Sequence, residues 1–218
     1  MKEKMLEAAW QNLVKKYNLN LTQLEQFKLY LKELILWNNK FNITAIVDEV
    51  EVINYHFKDS LALAQFIDLD NLHTIADVGS GGGFPGLPLK ILYPHLKLVL
   101  IEVNGKKVEF LQNLAQTLGL SDVIVYQIDW RAFIRECPQE VDLFCARASL
   151  QVEELLRIYK PGCAYKNSQL VYWASQNWDG ANFATLIGKV CKYGVGNRER
   201  QLIFFPTGAL ESLIWKKI

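Results

Sequence analysis

The chain has 218 residues, half of them hydrophobic, which is enough for one core of ordinary size and too little for two full domains. Its 24 lysine and arginine residues balance 23 aspartate and glutamate residues, so net charge gives no overall attraction to polyanions, although a local basic patch is not excluded. The acidic residues near the N-terminus argue against a signal peptide, and no apolar run approaches the roughly 20 residues of a membrane span, so we expect a soluble, cytoplasmic protein.

The first 70 residues are predicted to form a helical cap. Apolar side chains recur there at three- and four-residue spacing, which is typical of one buried helix face. The residues that show this spacing are Leu24, Phe27, Leu31 and Ile35. Thr22, followed three residues later by Glu25, fits a capping box at the start of this helix.

From residue 71 onward, short apolar runs alternate with helical stretches. The predicted strands are 73–79, 97–103, 122–128, 141–147, 168–174 and 200–206, and the predicted helices are 84–92, 105–120 and 152–160. Continuous apolar runs such as 98–101 suit strands that are buried on both faces. This alternation predicts an open α/β sheet of mainly parallel strands over residues 71–218, which forms one compact unit with the cap of residues 1–70.

A cluster of glycines marks the junction between the first predicted strand and the helix after it. The stretch DVGSGGGFPGLPLKI, residues 77–91, places five glycines between positions 79 and 86. In open α/β sheets ligands bind at this strand-to-helix edge. Glycine permits positive φ and removes the Cβ that would hold a ligand away, so the stretch predicts a turn that cradles a ligand against bare backbone.

Two classes of nucleotide cofactor fit this turn. Residues 81–86 formally satisfy the GxGxxG pattern of dinucleotide-binding proteins, whereas no Lys-Ser or Lys-Thr follows as a phosphate-binding Walker loop requires. Asp77, Gly79 and Gly81 together resemble the first motif of S-adenosylmethionine-dependent methyltransferases, in which the acid suits the cofactor's ammonium group. Glu102 ends the next strand, where both cofactor classes use an acid to hold ribose hydroxyls, so it supports either.

The stretch 77–91 closely resembles the first motif of the RsmG (GidB) family of 16S rRNA guanine-N7 methyltransferases. Four other segments are similar to motifs of that family and keep their order: LILWNNKFNITAI (34–46), HFKDSLAL (56–63), EVNGKKVEFLQ (102–112) and CARAS (145–149). The resemblance covers roughly residues 10–160, and beyond them only GNRERQLIFF (196–205) resembles the family's last strand.

This resemblance implies a Rossmann-like methyltransferase sheet with helices on both faces, S-adenosylmethionine as cofactor, and 16S rRNA or the small ribosomal subunit as substrate of a monomeric enzyme. The cofactor-binding residues that it implies are Asp77, Gly79, Gly81, Phe84, Glu102, Val103, Asn104, Ala132, Phe133 and Arg147. Arg147 is also a candidate catalytic residue that orients guanine or phosphate. Asp59 is a candidate for stabilising the cationic purine product. Because guanine N7 carries a lone pair and no proton, the reaction needs alignment and no general base.

The sequence departs from the family pattern at two places. Phe133 stands where the family has a glutamate at the adenine end, and Ala174-Ser175 stands where it commonly has Lys-Gly. These departures keep open a catalytically weakened RNA- or ribosome-binding relative. The formal GxGxxG pattern keeps open an NAD-dependent oxidoreductase, although no hydride-transfer constellation accompanies it.

Other polar and aromatic residues are candidates for binding RNA. Lys189, Lys192, Arg198 and Arg200 form a local basic cluster with one opposing acid, Glu199, which predicts a phosphate track. Lys106 and Lys107 can meet phosphate beside the cofactor edge, and three tryptophans can stack on bases: Trp130, Trp173 and Trp178. The three histidines and four cysteines lack the spacing of metal ligands, so we expect no metal site.

Overall fold

The computed structural model of the chain describes residues 1–137 and 139–206. Two long helices come first, α1 (Lys2–Tyr17) and α2 (Leu21–Asn38). A continuous helical run follows, composed of α3 (Glu49–Val52), a π-helical segment (Ile53–Lys58), α4 (Asp59–Leu61) and a 3-10 turn (Ala62–Gln65). The N-terminal region is therefore helical, as the apolar spacing predicts.

Within the described ranges, seven strands form one mixed sheet in the order β3-β2-β1-β4-β5-β7-β6. The strands are β1 (Thr74–Val78), β2 (Lys97–Glu102), β3 (Val123–Gln127), β4 (Leu143–Arg147), β5 (Gln169–Ser175), β6 (Lys189–Val195) and β7 (Arg198–Phe205). The helices between them are α5 (Gly86–Leu92), α6 (Gly105–Thr117), α7 (Trp130–Glu136) and α8 (Val152–Leu155), with 3-10 turns at Leu156–Tyr159 and Ala181–Phe183. Strands β1 to β5 are parallel, and β7 is antiparallel to β5 and β6.

Two hydrophobic clusters cover the two faces of this sheet. On one face, Ile75 and Leu100 pack with the N-terminal helices, α5 and α6. On the other face, Ala76 and Val99 pack with α7 and α8. Because neighbouring residues of a strand point to opposite faces, a parallel strand covered on both sides reads as a continuous apolar run. The predicted Rossmann-like sheet with helices on both faces is confirmed.

The structure adds two elements that the sequence analysis did not predict, helix α7 and strand β6. The side chains of β6 alternate between exposed and buried, with Cys191, Tyr193 and Val195 directed inward. Lys189 and Lys192 lie on this strand and mask its period of two, because their charges suggest a solvated basic segment. No helix within the described ranges is long and apolar enough to cross a membrane.

The N-terminus of α2 differs from the prediction by two residues. Asn20 is the cap, since its side-chain oxygen accepts a hydrogen bond from the Gln23 N–H and the Gln23 side chain accepts one from the Asn20 N–H. Thr22 lies inside the first turn, so its assignment as the cap with Glu25 is wrong. Asn20 and Gln23 form the two reciprocal hydrogen bonds of a capping box. Thr22 and Glu25 have the same three-residue spacing in the sequence.

The cap assignment can be tested by truncation. We expect Asn20→Ala to lower the free energy of unfolding by about 1 kcal/mol, because it leaves an N–H of the first turn without a partner. Thr22→Ala, an equally exposed change two residues later, is expected to change it by less than about 0.5 kcal/mol. Urea denaturation of both variants measures the difference, and equal losses would contradict the assignment.

Candidate functional site

A glycine-rich turn follows β1 at the point where the strand order reverses between β1 and β4. Gly79, Gly81 and Gly83 adopt φ values of 68°, 56° and 91°, which residues with a Cβ rarely adopt. A Cβ on Gly79 would overlap with the Cβ of Ser149, in the loop after β4. Position 79 therefore requires glycine for its backbone angle and also for space.

Glu102 links this turn to the end of β2 through hydrogen bonds to its carboxylate. One carboxylate oxygen accepts a hydrogen bond from the Gly81 N–H at 2.8 Å, and the other accepts one from the Asn104 N–H at 2.9 Å. The residue is only 7% exposed, while Val103 beside it is 62% exposed. Asn104 in turn caps helix α6 with its side chain. Each carboxylate oxygen of Glu102 keeps a lone pair that can accept from a ligand hydroxyl.

Asp77 lies beneath the turn, and only one of its two carboxylate oxygens is hydrogen-bonded to a described residue. One carboxylate oxygen accepts a hydrogen bond from the Gly86 N–H at 2.8 Å, and the other, Oδ1, is buried without a partner in the described part of the chain. Burial raises the pKa of the Asp77 carboxyl from 3.8 to about 7, against the opposing effects of the Gly86 N–H and the Arg147 charge. A buried, unpaired oxygen of this kind points to an interaction that a bound cation or water would complete.

A cavity of about 290 Å³ opens between this turn and the ends of β2, β3 and β4. Its lining residues are Val78, Gly79, Ile101, Glu102, Val103, Lys107, Ile128, Asp129, Trp130, Ala148, Ser149 and Leu150. Ser149 was not among the predicted site residues, and its Oγ is buried without a hydrogen-bond partner among the residues that the structure describes. The signal was its place directly after Arg147-Ala148 in the CARAS motif, where only the arginine drew attention.

The aromatic residues implied for cofactor binding lie behind the walls of this cavity. Phe133 is fully buried and packs parallel to Trp130 at a centroid distance of 6.3 Å. The N–H groups of Ala132 and Phe133 both donate to Asp129 at the start of α7. Phe84 is 5% exposed and stacks on the Tyr30 ring, on the side of the N-terminal helices. Of these aromatic rings, Trp130 is the one that lines the cavity.

Arg147, at the end of β4, is held by three acceptors from the N-terminal helical run. Its guanidinium donates to the Asp59 carboxylate at 2.9 Å, to the Tyr55 carbonyl at 3.0 Å and to His56 Nδ1 at 3.0 Å. The Asp59 side chain is 3% exposed, and its second oxygen accepts from the Tyr193 hydroxyl at 2.7 Å. The structure thus brings together the two residues predicted as catalytic, although 88 positions separate them.

His56 serves this arrangement as a neutral ring. Because arginine can only donate, Nδ1 accepts from Arg147, and Nε2 therefore carries the proton that it shares with Thr44 Oγ1 at 2.8 Å. Burial, with a smaller contribution from the Arg147 charge, lowers the pKa of His56 to about 3. The ring orients Arg147 and adds no positive charge near neutral pH.

A second cavity, of about 220 Å³, lies beside the first and shares Ala148 with it. Its lining residues are Ile46, Tyr55, His56, Asp59, Arg147, Ala148, Val195, Arg198 and Arg200. The predicted basic cluster is therefore divided. Arg198 and Arg200 face this cavity, whereas Lys189 contacts the Phe66 carbonyl and Lys192 is exposed on β6. Within residues 1–137 and 139–206 no group of His, Cys, Asp and Glu side chains has the arrangement of a metal site.

The close approach of Gly79 and Ser149 generates a prediction for a double-mutant cycle. We expect Gly79→Ala to lower the free energy of unfolding by about 2–4 kcal/mol, through its positive φ and its clash with the Ser149 Cβ. Adding Ser149→Gly removes the clashing carbon and should recover about 1 kcal/mol or more. Ser149→Ala keeps that carbon and should recover nothing. Additive effects in urea denaturation of all variants would contradict this packing.

Known relatives match most of the chain. Residues 23–187 match the family described as GidB, rRNA small subunit methyltransferase G. A ribosomal RNA small subunit methyltransferase G of Listeria monocytogenes serotype 4b is 41% identical over 157 residues, which are 71% of this chain and 66% of that protein. The protein of that name from an Exiguobacterium species is 36% identical over 178 residues, which are 79% of this chain and 75% of that protein.

Solved structures of low identity share the fold. TrmK of M. capricolum, in complex with S-adenosyl-homocysteine, gives a TM-score of 0.55 at 13% identity over 71% of this chain and 70% of that one. The C-terminal domain of precorrin-6Y C5,15-methyltransferase from Rhodobacter capsulatus gives 0.52 at 16% identity over 68% and 87%. These likenesses establish a Rossmann-like methyltransferase fold. The family match over residues 23–187 and the identity to the Exiguobacterium protein show that the chain belongs to the rRNA small subunit methyltransferase G family.

Proposed function

We propose that this chain transfers the methyl group of S-adenosylmethionine to N7 of a guanine in 16S rRNA. The observation that carries the proposal is the pair of adjoining cavities at Ala148, one beside the glycine turn and one lined by arginines, in a chain of this family. The proposal implies a cytoplasmic protein, because its substrate would be the small ribosomal subunit or its RNA. We expect it to act as a monomer.

The residues around the first cavity fit the chemical groups of this cofactor. Glu102 has free lone pairs at the position where an acid holds ribose hydroxyls. Gly79 and Ser149 both line the cavity, and the Ser149 hydroxyl, which has no partner among the described residues, can donate to the methionine part of the cofactor. An ionised Asp77 beneath the turn would favour the positive charges of the ammonium and sulfonium groups.

The remaining residues predicted to bind the cofactor line the first cavity or pack behind its walls. The exposed Val103 and the Trp130 ring offer apolar walls for the adenine, while Asn104 fixes the start of α6 beside them. Ala132 and Phe133 shape this end from behind Trp130, because their N–H groups already donate to Asp129. Phe84 supports the glycine turn from the side of the N-terminal helices.

The mechanism requires the protein to align groups and not to move a proton. When bound, the cofactor supplies an electrophilic methyl group on a sulfonium. Guanine N7 attacks through its lone pair and loses no proton, so the neutral, fully engaged His56 has no acid–base task. Arg147 is the positioning group at the junction of the two cavities, and Asp59 acts through it. Such alignment is worth many orders of magnitude in rate when the reacting atoms are held near contact.

The proposal is tested by transfer of labelled methyl from S-adenosylmethionine to 16S rRNA and to the small subunit, with identification of the modified base. We expect N7-methylguanosine from the native chain, no label with Gly79→Asp, and a loss of about 100-fold with Arg147→Lys, which cannot serve three acceptors in one plane. Thermal unfolding checks that each variant is folded. RNA binding without label would instead identify a catalytically weakened RNA-binding relative.

The protonation of Asp77 predicts a pH dependence of cofactor binding. With the pKa of Asp77 near 7 in the unliganded protein, the carboxyl is mostly neutral at pH 6 and mostly ionised at pH 8. Because the cofactor is cationic, its Kd should be about tenfold higher at pH 6 than at pH 8. Asp77→Asn should flatten this profile, as measured by calorimetric titration with S-adenosylmethionine. A native Kd that does not change between these pH values would contradict the role of Asp77.

A further inference from the structure

The second cavity has an excess of positive charge that its own residues do not neutralise. Among its described lining residues are three arginines, Arg147, Arg198 and Arg200, and a single carboxylate, Asp59. His56 is neutral, so the lining carries two uncompensated positive charges near neutral pH. Glu199, the acid next in sequence, points to the opposite face of the β6–β7 hairpin, where it lies across from Gly194.

The three guanidinium groups are restrained to different degrees. Arg147 and Arg200 both donate to the Asp59 carboxylate, at 2.9 Å and 3.3 Å. The Arg198 side chain makes no hydrogen bond or ion pair with any described residue, and its guanidinium carbon lies 3.9 Å from the centre of the Tyr55 ring. Stacking on one face leaves the N–H groups at the edge of the guanidinium free to donate. Arg198 is therefore held against the Tyr55 ring, while its side-chain donors have no acceptor in residues 1–137 and 139–206.

The cavity also has apolar surfaces and a defined neighbour. Ile46, Tyr55 and Val195 form walls beside the arginines, which suits a ligand with an anionic group attached to an apolar or aromatic one. Ala148 belongs to both cavities, so an anion held here lies next to the space beside the glycine turn. A phosphodiester next to a nucleobase has this combination of groups, and guanidinium forks match phosphate oxygens.

We propose that the second cavity binds a backbone phosphate of the RNA substrate beside the target guanine, with Arg198 as the donor that engages it and Arg147 and Arg200 as the fixed positive background. This inference rests on the proposed function, because it takes RNA as the substrate. It gives the free donors of Arg198 an acceptor and places the neighbouring base toward Ala148 and the first cavity.

The matched comparison is Arg198→Ala against Lys192→Ala. Both changes remove one exposed positive charge from the same hairpin, but Lys192 lies across from Gln201, on the face away from the cavity. The measurement is the binding of transcribed 16S rRNA as a function of salt concentration. Arg198→Ala should weaken binding roughly three- to tenfold and reduce the slope of log K against log salt by about 0.7–0.9, the value for one phosphate contact. Lys192→Ala should leave the slope unchanged, and Arg198→Lys should restore most of it.

Two further measurements distinguish a site for an RNA phosphate from a site for a free anion and from a loss of folding. The affinity for S-adenosyl-homocysteine should be equal in the native chain and in Arg198→Ala, which shows that the variant is folded and that the first cavity is intact. Equal RNA slopes for Arg198→Ala and Lys192→Ala would overturn the inference. A second outcome would also overturn it. If millimolar inorganic phosphate protects the native chain from thermal unfolding, and Arg198→Ala removes this protection without changing RNA binding, the cavity holds a free anion. An Arg198-dependent slope in a chain without methyl transfer would support the phosphate site while the proposed function fails.

Discussion

The buried carboxylate of Asp59 is the constraint on which the arrangement of both cavities depends. Its two oxygens accept from Arg147, Arg200 and the Tyr193 hydroxyl, and its backbone carbonyl accepts from the Trp173 indole at 2.9 Å. One residue of the N-terminal helical run thus contacts β4, β5, β6 and β7. Removing one partner of a buried ion pair typically costs about 3–5 kcal/mol, because the other charge is left uncompensated. The N-terminal helices are thereby tied to the sheet by charge as well as by apolar packing.

The same helices also support the glycine turn directly. The Tyr30 hydroxyl donates to the Gly82 carbonyl at 2.6 Å, and the Ile43 side chain leaves only 3.3 Å to a Cβ at position 82. The Phe84 ring lies between the rings of Tyr30 and His56. The glycine turn and the second cavity, which His56 lines, therefore pack against the same aromatic ring. The region predicted from sequence as a helical cap therefore also forms part of the walls of the site. Changes in its packing are expected to reach both cavities.

The parts of the fold that could be predicted from the sequence depend on residues that are close together along the chain. Parallel strands such as β2 have an apolar centre, residues 98–101, because both faces are covered. The turn at Gly79 is recognisable because only glycine adopts its backbone angles without strain. The pairing of Asp59 with Arg147 and the division of the basic cluster could not be predicted, because they depend on which distant elements become neighbours. Ser149 was missed for a related reason: a serine is recognisable as a ligand only when its hydroxyl is seen to lack a partner.

The structure shows which residues lie across from Ala174-Ser175, the pair that stands in place of the family's Lys-Gly. Ala174 stands at the place of the lysine and lies across from Gln201 in the β5–β7 pairing, whereas Ser175, at the place of the glycine, lies across from Arg200, which lines the second cavity. A guanidinium on the neighbouring strand, one residue along, therefore provides positive charge at the same end of β5. The proposed mechanism needs alignment and no proton carrier, so an arginine anchored on Asp59 can supply positive charge that the missing lysine does not. The absence of the Lys-Gly pair is thus compatible with the proposed methyl transfer.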